Sequence, residues 1–280
     1  MAAELKAAPD IRLEDLTVGY GDVAVVRDIN VTLPGGKISL ILGGSGCGKS
    51  TLLKHILRLH PPIAGRMYIG DHDICGLSKA DFRCIKQGLG VLFQDGALLG
   101  SLTLGDNVAL PLREHTRLDE AAIARIVRSK LSLVGLEDFM AYYPNQLSGG
   151  MRKRGGLARA MVMDPAILFC DEPTSGLDPI NSAELDQLLL DHQALFNMTI
   201  VVVSHDLQST WAIADYVVVL GDGRVLFQGD VDALRATTDP YLRRFLDRKA
   251  QGGAVERLED ELDRSLMKED CSKYWTSLRK

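Results

Sequence analysis

The segment GGSGCGKST at residues 43–51 contains, from Gly43 to Ser50, the spacing G-x-x-x-x-G-K-[ST]. It follows the apolar run KISLIL and precedes LLKHIL, the strand, loop and helix order that such a loop requires. Closely set glycines let the backbone curl until successive N–H groups and the start of the next helix face phosphate oxygens. The candidate ATP-binding residues here are therefore Gly43, Gly44, Ser45, Gly46, Cys47, Gly48, Lys49, Ser50 and Thr51. Lys49 is expected to reach the β- and γ-phosphates and Ser50 to ligate Mg²⁺. Cys47 sits where a helix N-terminus can lower a thiol's pKa. The simpler reading is a small residue whose backbone N–H matters and whose sulfur does not.

Two further groups arrive at the ends of apolar runs. ILFCDEP ends in Asp171 and Glu172, and TIVVVSH delivers His205. Parallel sheets bind ligands at the carboxyl ends of their strands. Asp171 is expected to hold Mg²⁺ through water, Glu172 to polarise the attacking water as general base, and His205 to contact the γ-phosphate. Taken alone, an acidic turn after a strand is more often only a solvated turn, and a lone histidine is more often structural. The phosphate loop upstream reverses that balance.

The elements that must position these groups show in the hydropathy pattern. KISLILGG, GLGVLFQ, AILFCDEP, TIVVVSHD and DYVVVLGDG are short continuous apolar runs, the pattern of strands covered on both faces. Helical patterns such as SAELDQLLLDHQALF alternate with them, which predicts an α/β fold around a parallel sheet. IRLEDLTVGYG and AVVRDINVTLP predict an antiparallel flank. Residues 95–165 are mostly helical in pattern and are expected to form an inserted subdomain of a domain covering 5–240. Past Pro240 the strand pattern stops, and 241–280 is expected to be a charged helical tail. There Val255, Leu258, Leu262 and Leu266 recur at helical spacing.

With 280 residues, 46% of them hydrophobic and 25% charged, the chain has the make-up of a globular protein. Its formal net charge of -5 provides no general attraction to nucleic acid or anionic headgroups. Five cysteines are scattered without paired metal-ligand spacing, which points to a reducing compartment. No signal-peptide core and no run of about 20 apolar residues is present, so the expected place is cytosolic, with any membrane role peripheral.

Residues 147–151 read LSGGM and open the helical pattern MRKRGGLARAMV. This segment resembles the ABC signature sequence, and the order of phosphate loop, signature, DEPTSGLD and His205 resembles the ABC ATPase family over nearly the whole chain. The resemblance implies a P-loop NTPase core of the RecA-like type and ATP hydrolysis. It also implies that Tyr20 stacks on adenine and that Gln94 links Mg²⁺ and water to the transporter interface. Ser148, Gly149 and Gly150 would reach the γ-phosphate held by an opposite subunit, with Asp178 across the same seam. Small residues and free N–H groups at a helix start suit an anion. One phosphate loop and one signature per chain then require two chains, and a two-fold homodimer completes both sites.

Met151 stands where most ABC subunits have glutamine, followed by Arg152, Lys153 and Arg154. Together with FQDGALLGSLTLGDNVALPLREHT at 93–116, this resembles the ATPases of Mla- or Mce-type lipid transporters. That resemblance implies phospholipid transport and a place on the cytoplasmic face of the inner membrane. It also implies an integral permease, an Mce lipid-binding protein beyond the membrane and a small cytosolic STAS-type subunit that the C-terminal extension can reach. The alternative is an ABC ATPase of another transporter or one acting on ribosomes or DNA. Ribosome-acting members usually carry two ATPase units per chain, and chromosome-type members separate loop and signature by a long coiled coil. A kinase built on the same loop leaves LSGGM and His205 unexplained.

Overall fold

Uninterrupted apolar runs form strands where both faces are covered, and four of the five runs occupy such positions, while in the LGVL of GLGVLFQ half-buried and buried residues alternate. The structure, a computed structural model, describes residues 8–247. The first elements are β1 (Ile11–Tyr20), β2 (Val23–Leu33), β3 (Ile38–Gly43), α1 (Lys49–Ile56), β4 (Ala64–Ile69), β5 (His72–Asp73), α2 (Lys79–Gln87) and β6 (Leu89–Leu92). Three helices follow, α3 (Leu104–His115), α4 (Glu120–Leu133) and α5 (Gly149–Met161). Then come β7 (Ile167–Asp171), α6 (Pro179–Phe196), β8 (Thr199–Ser204), α7 (Leu207–Ile213), β9 (Tyr216–Gly221), β10 (Arg224–Asp230) and α8 (Val231–Arg235). This compact unit runs to Ala236. A second unit begins at Thr237 and contains α9 (Pro240–Leu246), whose N-terminus is capped by Asp239. The stretch from Val255 to Leu266 lies outside the described residues.

The larger sheet has the order β10-β9-β3-β8-β7-β6. From β9 to β6 every neighbouring pair is parallel, and β10 closes one edge antiparallel to β9. A second, antiparallel sheet has the order β2-β1-β4-β5. Every residue of β3 and β8 is buried, which is why their sequences carry no alternation. Two longer strands, β4 and β10, fall outside the apolar runs. In β10 half-buried and exposed residues alternate, so its pattern is that of a strand covered on one face. Ile11, Leu13 and Leu16 of β1, Leu52, Leu53 and Ile56 of α1, and Phe169, Val201 and Val203 of the parallel sheet share one apolar cluster. Burying such a cluster fixes α1 against both sheets.

Strand register decides which loops meet. Leu42 pairs with Ser204 and Asp171 pairs with Val203, so β3, β7 and β8 end at one level. The chain leaves that edge at the loop after Gly43, at Glu172 and at His205. Between β6 and β7 lie α3, α4 and α5, capped by Thr103, Asp119 and Ser148 respectively. Buried Asn107 on α3 accepts from the Leu99 N–H at 2.7 Å and donates to the carbonyls of Leu99, Leu102 and Thr103. It thereby holds 99–103 as a fixed loop ahead of the helix.

Asp186 on α6 is 6% exposed, and its Oδ1 has no hydrogen-bond partner. Burial pushes its carboxyl up to about 6, against a hydrogen bond from Ser209, and the charge of Asp206 adds to the rise. The ionised form is thus penalised in the folded chain. Stability is fully present below the unfolded value of about 3.9. It is lost progressively as pH rises to the folded value of about 6. Asp186→Asn is expected to raise the urea midpoint at pH 8 relative to the native chain, and the gain should shrink toward pH 4. An equal shift at both pH values would show that ionisation of Asp186 is not its cause.

Candidate nucleotide site

Gly48 precedes α1 in a left-handed conformation, φ +103°, and a Cβ there would lie 2.2 Å from Val26 Cγ2. Glycine meets both demands, and it offers no side chain to cap the helix. The first turn of α1 contains no acid either, so its N–H groups are available to an anion. At Gly46, φ +79°, the space beside the backbone is open. Lys49 is 7% exposed, and its ammonium donates back to the carbonyls of Gly43 at 2.8 Å and Gly44 at 3.1 Å. The loop is therefore wound around its own cation.

Ser50 Oγ donates to Asp171 Oδ1 at 3.1 Å, joining the loop to the end of β7 across 121 positions of sequence. Burial pushes the Asp171 carboxyl up, and the Ser50 hydrogen bond opposes this. Glu172 follows in a left-handed conformation, φ +49°, with its N–H bonded to Val203 O at 2.8 Å. Its Oε2 accepts from His205 Nδ1 at 2.8 Å. Ser45, Gly46, Gly48, Lys49, Ser50, Thr51, Gln94, Glu172, Ser175 and His205 line one cavity of about 370 Å³. Hydroxyl, carboxylate and amide oxygens from Ser50, Asp171 and Gln94 are the hard donors that Mg²⁺ prefers. The donor set and the helix start thus fit a metal–phosphate ligand.

Other candidates lie elsewhere. Tyr20 is 46% exposed at the end of β1 and does not line the cavity. Its ring meets His55 and His60 edge-on at 6.1 and 5.3 Å, and His55 Nε2 lies 3.1 Å from Gly19 O, which ties α1 to that strand end. Ser148, Gly149 and Gly150 start α5 and also stay outside the cavity of their own chain. Ser148 caps α5 by accepting from the Met151 N–H at 3.2 Å. Asp178 caps α6 by accepting from the N–H groups of Asn181 and Ile180, and these together with the Asn181 side chain hold its carboxyl low. Cys47 is half-buried, with its sulfur 2.4 Å from where a Cβ on Gly43 would fall.

Comparison with known proteins decides the family. The model of the family described as ABC transporter matches residues 26–175. The chain belongs to the ABC transporter family. It is an ATP-binding, ATP-hydrolysing subunit. It is 41% identical over 260 residues to the "Probable ribonucleotide transport ATP-binding protein mkl" of Mycobacterium tuberculosis, covering 93% of this chain and 72% of that protein. To the "Intermembrane phospholipid transport system ATP-binding protein MlaF" of Haemophilus influenzae it is 39% identical over 242 residues, covering 86% and 92%. Among solved structures, a dimeric ATP-binding cassette in a post-hydrolysis state with ADP and Pi superposes with TM-score 0.73. That cassette is 30% identical, and the match covers 79% of this chain and 98% of the other.

Within this ABC cassette, two contributors to the site escaped the sequence reading. Ser175 lines the cavity, and buried Lys153 donates to the backbone carbonyls of Glu172 and Ser175. A signal for Lys153 existed. Lys153, Leu157 and Met161 are four apart on the buried face of α5, where a lysine needs a reason. Gly48→Ala is expected to weaken ATP binding by about tenfold or more, because the added Cβ both clashes and disfavours the left-handed turn. Titration with a fluorescent ATP analogue measures this, and an unchanged affinity would contradict the cradle described above.

Proposed function

We propose that two copies of this chain close on two ATP molecules and drive a membrane permease that moves phospholipid. The observation that carries the hydrolytic half is the convergence of Lys49, Ser50, Glu172 and His205 on one cavity, with Asp171 bonded to Ser50. Lys49 and the loop N–H groups bind phosphate oxygens. Ser50, Asp171 and Gln94 would hold Mg²⁺, whose chemistry there would be to neutralise charge on the phosphoryl oxygens. Glu172, oriented by His205, polarises the attacking water. Tyr20 stacks on the adenine at the rim. Ser148, Gly149 and Gly150 of the second copy complete the γ-phosphate site, and Asp178 lies at the same seam. Support for this comes from their position outside their own cavity and from the dimeric form of the similar cassette.

In this reading residues 5–240 form the nucleotide-binding domain, 95–165 its helical subdomain, and 241–280 a tail toward a STAS-type partner. The chain works on the cytoplasmic face of the inner membrane, beneath a permease that passes lipid to or from an Mce protein. Phe93, next to Gln94 in sequence, and Leu99, five residues on, are exposed and offer apolar surface for a permease helix. The two curated relatives carry different cargo in their names, ribonucleotide and phospholipid. Phospholipid is favoured on local segments rather than on overall similarity, which the two relatives share. Met151 and the 93–116 segment agree with it.

Glu172→Gln is expected to retain ATP and accumulate as a dimer on size exclusion with ATP and Mg²⁺, with turnover reduced about 100-fold or more. A monomeric mutant with normal turnover would sink the role given to Glu172. For cargo, the complex with its native permease is reconstituted in liposomes holding labelled phospholipid or labelled ribonucleotide. Lipid transfer that requires ATP and stops in Glu172→Gln is expected. Ribonucleotide movement with static lipid would overturn the cargo and leave the ATPase intact.

A further inference from the structure

Lys153 is 5% exposed, yet its ammonium faces no carboxylate at ion-pair distance among the described residues. It donates instead to Glu172 O at 3.4 Å and to Ser175 O. Burial pushes its pKa down, while the charges of Asp95 and Glu172 oppose that. Both accepting carbonyls belong to the turn that carries the general base. Glu172 is a non-glycine residue with φ +49°, a conformation that persists only when its surroundings over-determine it. Its surroundings are Val203 O on its N–H, Ser175 N–H at 3.2 Å on its carbonyl, His205 on its carboxylate, and Lys153. Of these, only Lys153 comes from outside the parallel sheet edge and its loops.

The helix that brings it has two other attachments. Its N-terminus is the Ser148–Gly150 segment, and toward its other end Arg159 donates to Gly96 O at 2.9 Å and Ala97 O at 2.8 Å, just after Gln94. A packed helix moves as a unit. Any shift of α5 is therefore felt at once by the turn of Glu172 and by the loop of Gln94.

We propose that Lys153 is a positioning residue for hydrolysis, which holds the Glu172 turn in its own chain and makes that turn follow the signature end of α5. The proposal rests on the reading of Glu172 as general base and of Ser148–Gly150 as facing the second copy's nucleotide. In the permease complex, Lys153→Met is expected to lower kcat about 10- to 100-fold, the scale of a misplacement near 1 Å, with ATP affinity changed less than about twofold. Lys153→Arg should recover most of the loss, since it restores cationic donors to the same carbonyls. The Hill coefficient for ATP should fall toward one in Lys153→Met. If that variant does not fold, Lys153→Gln is measured in the same way.

Mixed dimers locate the effect. One chain carries Lys49→Ala, so that the other chain's phosphate loop and Glu172 do the work. Lys153→Met on the working chain should lower turnover by the same factor, about 10- to 100-fold, and on the silenced chain it should cost much less. A kcat within twofold of native, a loss matched by equal loss of ATP affinity, or a loss confined to the silenced chain would each overturn the proposal. Ser148→Arg on the silenced chain checks the shared-site reading separately. If it leaves turnover intact, that reading and the link to the second copy fall, while the working-chain result still decides whether Lys153 positions Glu172.

Discussion

Parallel pairing of β3, β8 and β7 in one register is the constraint on which the site depends. It brings Gly43, Glu172 and His205 out at one level of one sheet edge. A slip of one residue in β7 would turn Asp171 to the opposite face and take it from Ser50. Complete burial of β3 and β8 makes such a slip costly, because the pairing lies under helices and away from water. The same burial that stabilises the fold therefore aligns its chemistry.

Around that edge, cations are bonded to backbone carbonyls, two of them, Lys49 and Lys153, buried and Arg159 half-buried. Lys49 holds Gly43 and Gly44, Lys153 holds Glu172 and Ser175, and Arg159 holds Gly96 and Ala97. Charge-assisted donors of this kind are stronger than neutral ones and shape loops that have no regular structure of their own. Lys49 differs from the other two in that it lines the cavity.

Membership of the ABC transporter family explains why one chain displays both a nucleotide cavity and a signature helix that stays out of it. The cargo is a separate matter. An ATPase subunit handles phosphate and water, and its similarity to subunits named for phospholipid and for ribonucleotide transport reflects shared handling of ATP.

Much of this was legible in the residues themselves. The phosphate loop, the acidic pair, His205 and LSGGM are local strings, and four buried strands announce themselves because burial on both faces removes polar positions from a run. β4 and β10 lacked that signal, since β10 is covered on one face and alternates, and the first three residues of β4 are exposed. Only the tertiary structure decided the strand order β10-β9-β3-β8-β7-β6, the Ser50–Asp171 contact and the place of Tyr20 outside the cavity. Only it, too, turned Lys153 from one member of a basic run into the donor that holds Glu172. The physical reason is common to all of these. Local spacing encodes which side chains are offered, whereas pairing between distant strands and bonds to backbone carbonyls, which every residue possesses, leave no mark in residue type.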